Sequence, residues 1–235
     1  MHKTLVAAAL ILLAGCGTRW EESSLKRETN HQSLDKPKAD LVQVELAMAA
    51  GKMILHGGAA AGKLMEADFI TDFPAWKPEL RYDASSFRGK LRLRQPGSGA
   101  SLNGHTNEWS MKFAEDIPLS LDISVGAGES ELELGALTLR DVEVKIGAGR
   151  CEVDLRGMPK RSYEVRLSGG VGEAVVHVSR QAAVSAEASG GIGDVSVDGM
   201  SKNGKSYSTE SYGKAKNSIR LDVKGGIGAI HISAE

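Results

Sequence analysis

Aromatic residues are scarce in this chain, at 5 % of its composition. So few leave little for a surface that stacks on nucleic-acid bases or sugar rings. No charge of one sign dominates either. Lys and Arg number 29 and Asp and Glu 30, so there is no basic field for nucleic acid. The apolar run over residues 5–13 is too short to span a bilayer as a helix. Past that run no segment shows a strong helical period, which leaves helical bundles without support.

Glycine is plentiful, at 28 residues, and it is not scattered. Five times an alternating apolar run meets Gly-x-Gly and continues as a second alternating run. The cores are Leu121-Asp-Ile-Ser-Val-Gly-Ala-Gly128, Val142-Glu-Val-Lys-Ile-Gly-Ala-Gly149, Val165-Arg-Leu-Ser-Gly-Gly-Val-Gly172, Ala186-Glu-Ala-Ser-Gly-Gly-Ile-Gly193 and Leu221-Asp-Val-Lys-Gly-Gly-Ile-Gly228. Their first aligned glycines, Gly126, Gly147, Gly170, Gly191 and Gly226, are separated by 21, 23, 21 and 35 residues. A period of this size marks a repeat architecture, in which each unit buries its apolar face on its neighbours. The longer fourth step holds a polar, turn-rich insert over residues 201–218. A sixth, divergent copy stands at Val44-Glu-Leu-Ala-Met-Ala-Ala-Gly51, with Ala49 in place of the first glycine, as expected of an atypical terminal repeat.

Aligned, the copies form columns. Leu121, Val142, Val165, Ala186 and Leu221 are one; Ile123, Val144, Leu167, Ala188 and Val223 the next; Asp122, Glu143, Arg166, Glu187 and Asp222 lie between them. After the glycines, Leu132, Val153, Val176, Val197 and Ile232 form another, beside Ser130, Cys151, Ala174, Val195 and Ile230. Such alternation puts one face inside and the other in water. Cys151 falls in a column of small core residues, which argues against a reactive thiol. Val125 and Ile146 give way to Gly169, Gly190 and Gly225. Two positions on, Ala127 and Ala148 give way to Val171, Ile192 and Ile227. This exchange predicts that both positions fill one pocket at constant volume. The expected fold is all-β, a β-solenoid-like stack of about six Gly-x-Gly repeats. The alternative is an antiparallel meander of hairpins turning at Gly-x-Gly.

The start of the chain has an export pattern. His2 and Lys3 precede the apolar run, which ends in Leu13-Ala14-Gly15-Cys16. That tetrad resembles the bacterial lipobox. The resemblance implies cleavage before Cys16 and a lipid on its sulfur and its new amine. Several acyl chains at about 0.8 kcal/mol per buried CH₂ make a stable anchor. With Cys16 so used, Cys151 has no partner and no disulfide forms. Gly17 rather than Asp follows, which favours the outer membrane if the source is Gram-negative. The expected division is a signal peptide at 1–15, lipidated Cys16 and a flexible polar tether at 16–40, an N-terminal region at 41–118 and the repeats at 119–235.

Within 41–118, Glu66-Ala-Asp-Phe-Ile-Thr71, Lys77-Pro-Glu-Leu-Arg-Tyr82, Gly89-Lys-Leu-Arg-Leu-Arg94 and Trp109-Ser-Met-Lys-Phe113 read as strands, and 103–107 as a loop. Residues 44–57, Leu64-Met-Glu-Ala-Asp-Phe69, Trp76-Lys-Pro-Glu-Leu-Arg-Tyr82 and Gly89-Lys-Leu-Arg-Leu93 resemble the N-terminal part of bacterial toast-rack proteins. Tyr212-Gly-Lys214 and Ile219-Arg-Leu-Asp-Val-Lys-Gly-Gly-Ile-Gly-Ala-Ile230 resemble the end of the same proteins. Related repeats occur in adhesin-like proteins and in LiaF-type cell-wall-active antibiotic response proteins. The resemblance implies a stacked β-solenoid-like fold, often membrane-tethered, with no catalytic residues to carry over.

The chemistry available is thin. Gly57-Gly-Ala-Ala-Ala-Gly62-Lys63 meets seven places of a P-loop, but the eighth is Leu64 where Mg²⁺ needs Ser or Thr. The Gly-x-Gly pairs lack the third glycine and the helix of a dinucleotide site. The histidines fall in different rungs and columns, so no zinc site is expected. Glu131, Glu133, Glu152 and Asp154 form an acidic strip, which becomes the candidate partner surface. A lyase or glycosidase would need those acids in a cleft. The expectation is a lipid-anchored, non-enzymatic cell-envelope protein. It would act as an interaction or scaffold module linked to envelope stress. A surface adhesin or glycan binder is the alternative, ahead of a polysaccharide lyase or hydrolase. Its partners would be membrane lipid through Cys16 and an unknown envelope protein or glycan, with no nucleic acid and no cofactor.

Overall fold

The computed structural model describes residues 27–85, 87–97 and 105–235, so the lipobox and Cys16 lie outside the described residues. In chain order the strands are β1 (Glu28–Asp35), β2 (Leu41–Gly57), β3 (Lys63–Thr71), β4 (Glu79–Ser85), β5 (Arg88–Arg94), β6 (Asn107–Phe113) and β7 (Leu119–Glu133). They continue as β8 (Leu139–Asp154), β9 (Tyr163–Val178), β10 (Val184–Ile192), β11 (Val195–Asp198), β12 (Ser201–Asn203), β13 (Ser206–Ser208) and β14 (Ile219–Ala234). Among the described residues the only helical turn is the 3-10 segment Pro74–Trp76, and no helix is long and apolar enough to cross a membrane.

The repeats pair in parallel, residue on residue in the aligned columns. Leu121 pairs with Val142, Val142 with Val165, Val165 with Leu221 and Leu221 with Ala186. Parallel register excludes the hairpin meander. It also forces each strand to fold. β7 has 15 residues and would run about 50 Å if straight. Yet residues 134–138 alone return the chain to the start of β8, and they reach only about 18 Å. The strand therefore bends back at Gly-x-Gly into two arms with the core between them. Leu121 and Ile123 of the first arm and Leu132 of the second are each no more than 1 % exposed.

The corner explains the glycines. A Cβ on Gly147 or Gly170 would press into the backbone carbonyl of the next rung, Gly126 or Gly147. The second glycine of each pair is constrained twice. Gly149 has φ +131° and Gly172 φ +139°, and a Cβ there would also strike the neighbouring carbonyl. These contacts run in one direction along the stack, from β10 towards β2. Ala49 fits that rule. Its rung, β2, is followed by two separate strands, β5 along the first arm and β6 along the second. They leave a gap opposite Ala49, so a Cβ is tolerated. Opposite Gly51 stands the Asn107 carbonyl, and there the glycine is retained.

That gap is closed by side chains. Gln95 Oε1 accepts from the backbone N–H of Ala49 at 2.9 Å and from the amide of Asn107 at 3.0 Å. Asn107 Oδ1 in turn accepts from Trp109 Nε1 at 3.1 Å. β2 is thus not the end of the stack. β5 and β6 act as one split rung, with β4 beyond β5, and β3 then β1 beyond β6. Phe69 meets Trp109 edge to face at 5.5 Å and fills this end of the core.

Two expectations are corrected, and the order of the rungs adds a third finding. The stretch 16–40 is not all flexible tether, because Glu28–Asp35 forms β1, paired antiparallel with β3. Rungs do not stack in chain order. β14 lies between β9 and β10, and the polar insert is the return path, its β13 covering Ser185–Glu187 of β10. The volume exchange at the corner has a different partner from the one expected. Val171, Ile192 and Ile227 are 53 %, 71 % and 53 % exposed, so they do not fill a shared pocket. The residue facing each corner position lies five places on, in the opposite arm. A Cβ on Gly225 would lie 3.2 Å from Ile230, and one on Gly190 3.3 Å from Val195. Where both members are small, at Gly169 and Ala174, a cavity of about 30 Å³ remains.

Candidate interaction surface

The outer face of the second arm carries the acidic strip. β7 and β8 place Glu131 beside Glu152 and Glu133 beside Asp154. Like charges so placed repel, and the chain interleaves cations. Lys52 reaches Glu131 at 2.7 Å. Arg150 bridges Glu152 at 3.2 Å and Glu173 at 2.8 Å. Arg156 holds Asp154 at 2.6 Å and Glu235 at 3.1 Å. The strip is thus an ion-pair lattice. Of its four acids only the exposed Glu133 has no partner among the described residues, and it shares an open depression of about 260 Å³ with His56, Glu115 and Arg156.

The electrostatics follow the contacts. The hydrogen bond to Glu131 raises the Lys52 ammonium above its ordinary value. Partial burial pushes the Asp154 carboxyl up, but hydrogen bonds from the Arg156 side chain and backbone outweigh it and hold the group below the usual range. These pairs are largely half-exposed, so each is worth no more than about 1 kcal/mol. Their effect is to fix side chains in rows across the rungs.

The first arm carries a second lattice in register. Asp122, Glu143, Arg166, Asp222 and Glu187 form its row in spatial order. Lys145 lies 2.8 Å from Glu143 and 3.9 Å from Asp122, and Lys224 2.6 Å from Asp222.

Two hydroxyl–imidazole pairs appear that the sequence did not disclose. Ser196 Oγ lies 2.7 Å from His231 Nδ1, and Ser233 Oγ lies 2.9 Å from His177 Nδ1. At the far ring nitrogens Glu173 and Glu152 stand 3.9 Å and 3.6 Å away, too distant to orient the rings by hydrogen bonds, and Glu235, 3.4 Å from His177 Nδ1, accepts instead from Ser233 Oγ at 3.1 Å. Both pairs sit on the open sheet face, which gives no constellation for acyl transfer. No group of three metal-ligating side chains is found among the described residues. Cys151 is 2 % exposed, and burial pushes its thiol up to about 12. The loop before Lys63 is tied by its own groups. Ala60 N–H donates to Glu66 at 2.8 Å and Lys63 pairs with Asp35 at 2.7 Å, so a carboxylate occupies the place a phosphate would need.

The acids were read from alternation, whereas Arg150 and Arg156 were missed, although each stands only two residues from its acid in sequence. Lys52, opposite Glu129 and diagonal to Glu131, required the register of β2 on β7, and His177 beside Ser233 required β14 to lie next to β9.

The sequence model of a family described as the N-terminal domain of toast_rack, DUF2154, matches residues 22–177. The crystal structure of a protein from Clostridium sporogenes ATCC 15579, provisionally named a cell adhesion protein, is similar over 89 % of this chain and 100 % of that one, at 33 % identity and TM-score 0.86. A provisionally named adhesin from Bacteroides fragilis NCTC 9343 covers 89 % of this chain and 98 % of its own, at 11 % identity and TM-score 0.31. No curated protein gives a significant match.

Proposed function

The chain belongs to the toast-rack family, and from that premise we propose that it is a non-enzymatic, adhesin-like surface module, held to the cell envelope by lipid on Cys16. The observation that carries this reading is the straight presentation of side chains. Six rungs in parallel register hold two mixed-charge lattices on opposite faces of one rigid core. Such rows suit contact with an extended or repeating partner, whereas the acids lie on an open face without the cleft that hydrolysis needs. The name given to the Clostridium sporogenes protein points the same way. The partner is an envelope protein or glycan, met by the face bearing Glu131, Glu133, Glu152 and Asp154.

Two measurements test the proposal. Cys16→Ser should abolish palmitate labelling; label retained on the variant removes the anchor. Changing Glu131, Glu133 and Glu152 to Gln and Asp154 to Asn should cut photo-crosslinked partner capture on intact cells at least fivefold at unchanged secondary structure. Undiminished capture moves the contact off this face, and glycan turnover by the purified protein overturns the non-enzymatic reading.

A further inference from the structure

The two ends of the stack are not finished alike. At the C-terminal end the last rung consists of β10 and β11. β13 covers the outer edge of β10 only at Ser185–Glu187. β11 pairs with β14 on one side and with nothing on the other among the described residues. The free groups can be assigned. Ile230 N–H bonds the carbonyl of Asp194, so Ser196 and Asp198, of the same parity, bond inward to β14. Val195 and Val197 then direct their N–H and C=O to the open edge. This edge is short and ends in Asp198, but it has neither Pro nor Lys within Val195–Asp198 and no element covers it among the described residues.

Its side chains specify what fits. Val195 is 40 % exposed, Ile192 at the adjoining corner is 71 % exposed and Val197 is half-buried, so the apolar interior is uncovered here. On the outer side Asp198 ends the strand and Asp194 precedes it. Neither carboxylate has a hydrogen-bond or ion-pair partner among the described residues. On inner rungs Asp122, Glu143, Glu152, Glu173 and Asp222 each have a cation within 4 Å. The edge therefore lacks an apolar residue on its inner face and a cation on its outer face. The protein's own free edges do not supply the two together: the inner Leu80 and Tyr82 of β4 come with a net negative outer face, and the inner Leu34 of β1 comes without Lys or Arg. β4 brings Glu79 and Asp83 with one Arg81 to its outer face, and β1 turns Asn30 and Gln32 towards the side where apolar groups are needed.

We propose that the outer edge of β11, with the adjoining corner at Ile192, takes up an extended segment of a partner protein in which apolar residues alternate with Lys or Arg, as one further strand of the stack. Backbone hydrogen bonds to Val195 and Val197 give the affinity. Alternation gives the specificity, with apolar side chains laid over Val195 and Val197 and cations towards Asp194 and Asp198. The site stands apart from the β7–β8 acidic face and holds whether or not that face has a partner.

The test is fluorescence anisotropy on the full chain with three labelled peptides: (Val-Lys)₄, (Val-Glu)₄, and (Val-Lys)₄ with proline at its centre. The first should bind saturably, and each of the others at least tenfold more weakly. Asp194→Asn with Asp198→Asn should weaken the first peptide at least fivefold. Val195→Pro, which removes an outward N–H and leaves the β14 ladder intact, should abolish binding at an unchanged melting temperature. Should that variant misfold, the proline peptide probes the same backbone hydrogen bonds on the native protein. Amide exchange should slow at Val195 and Val197 with the peptide bound. No saturable binding, equal binding of the proline peptide, or protection elsewhere overturns the proposal. So does a concentration-dependent dimer lost in Val195→Pro, which would assign the edge to a second copy.

Discussion

The same repeated phrase meets two different fates at the two ends of the stack. At the N-terminal end the phrase decays, and the decay closes the structure. Ala49 replaces a glycine because no backbone stands opposite, the next rung splits into β5 and β6, and Gln95 and Asn107 satisfy the backbone at the gap. Trp and Phe, absent from the repeats, fill the end of the core, with Trp109, Phe69 and Phe113 each at most 1 % exposed. At the C-terminal end the phrase persists to the last rung. Ala186 and Ala188 shrink the interior, Gly-x-Gly is retained at 191–193, and the edge stays open. A perfect repeat always leaves a surface complementary to another repeat, so closing a solenoid requires departing from it.

If the ends differ in this way, truncations should differ most. Trp109→Ala removes the largest buried side chain of the closed end, and its ring donates to Asn107. A loss of about 3–5 kcal/mol is expected in denaturant melts. Ile192→Ala at the open end should cost less than about 0.5 kcal/mol. Similar losses at the two sites would erase the distinction.

The corner should grade along the stack. Gly147→Val drives a side chain into the Gly126 carbonyl between two fully paired rungs, and about 2–3 kcal/mol should be lost. Gly191→Val meets the Gly226 carbonyl in the same way, but β10 has no neighbour outside its corner and can move outward. About 1 kcal/mol is expected there. Equal melting temperatures for the two variants would mean that the end rung is as fixed as the middle ones.

Gln95→Ala tests the closure itself. It leaves the backbone amides of Ala49 and Ala50 without their acceptor and should cost about 1–2 kcal/mol. Rapid amide exchange at these two residues, with the rest of β2 protected, would locate the loss.

Much of the fold was legible because columns report register. Alternation placed Leu121 on Val142 and Leu132 on Val153, and the pairing follows. The order of the rungs was hidden for the same reason. Leu221 matches Val165 and Ala186 equally well, so identical columns fit any permutation, and only the long step before Gly226 hinted at a return path. Val171, Ile192 and Ile227 misled because alternation was carried through a corner where the mirror-image φ of Gly172, Gly193 and Gly228 breaks it. The candidate surface was half legible. Acids alternate visibly along β7 and β8, but the pairing of Glu131 with Lys52 and of Arg150 with Glu173 is a cross-rung property and needs the assembled sheet.

The smallest effect is also the sharpest, because two adjacent glycines should change stability in opposite directions. Gly170 is held by contact. Any Cβ there meets the Gly147 carbonyl, and Gly170→Ala should destabilise by about 1–2 kcal/mol. Gly169 is held by nothing: its φ is not positive, and a Cβ would find no atom within 4 Å. It borders the cavity of about 30 Å³ left between Gly169 and Ala174, which Cys151 and Leu167 also line. Gly169→Ala should fill part of that space and lower the entropy of the unfolded chain, raising stability by about 0.4–1 kcal/mol. The buried Cys151 thiol reads out the same corner, since native protein should resist a maleimide that labels it after denaturation, and Gly169→Ala should slow the native reaction further. Destabilisation by Gly169→Ala, or fast native labelling of Cys151, would mean that this corner is already packed or already open.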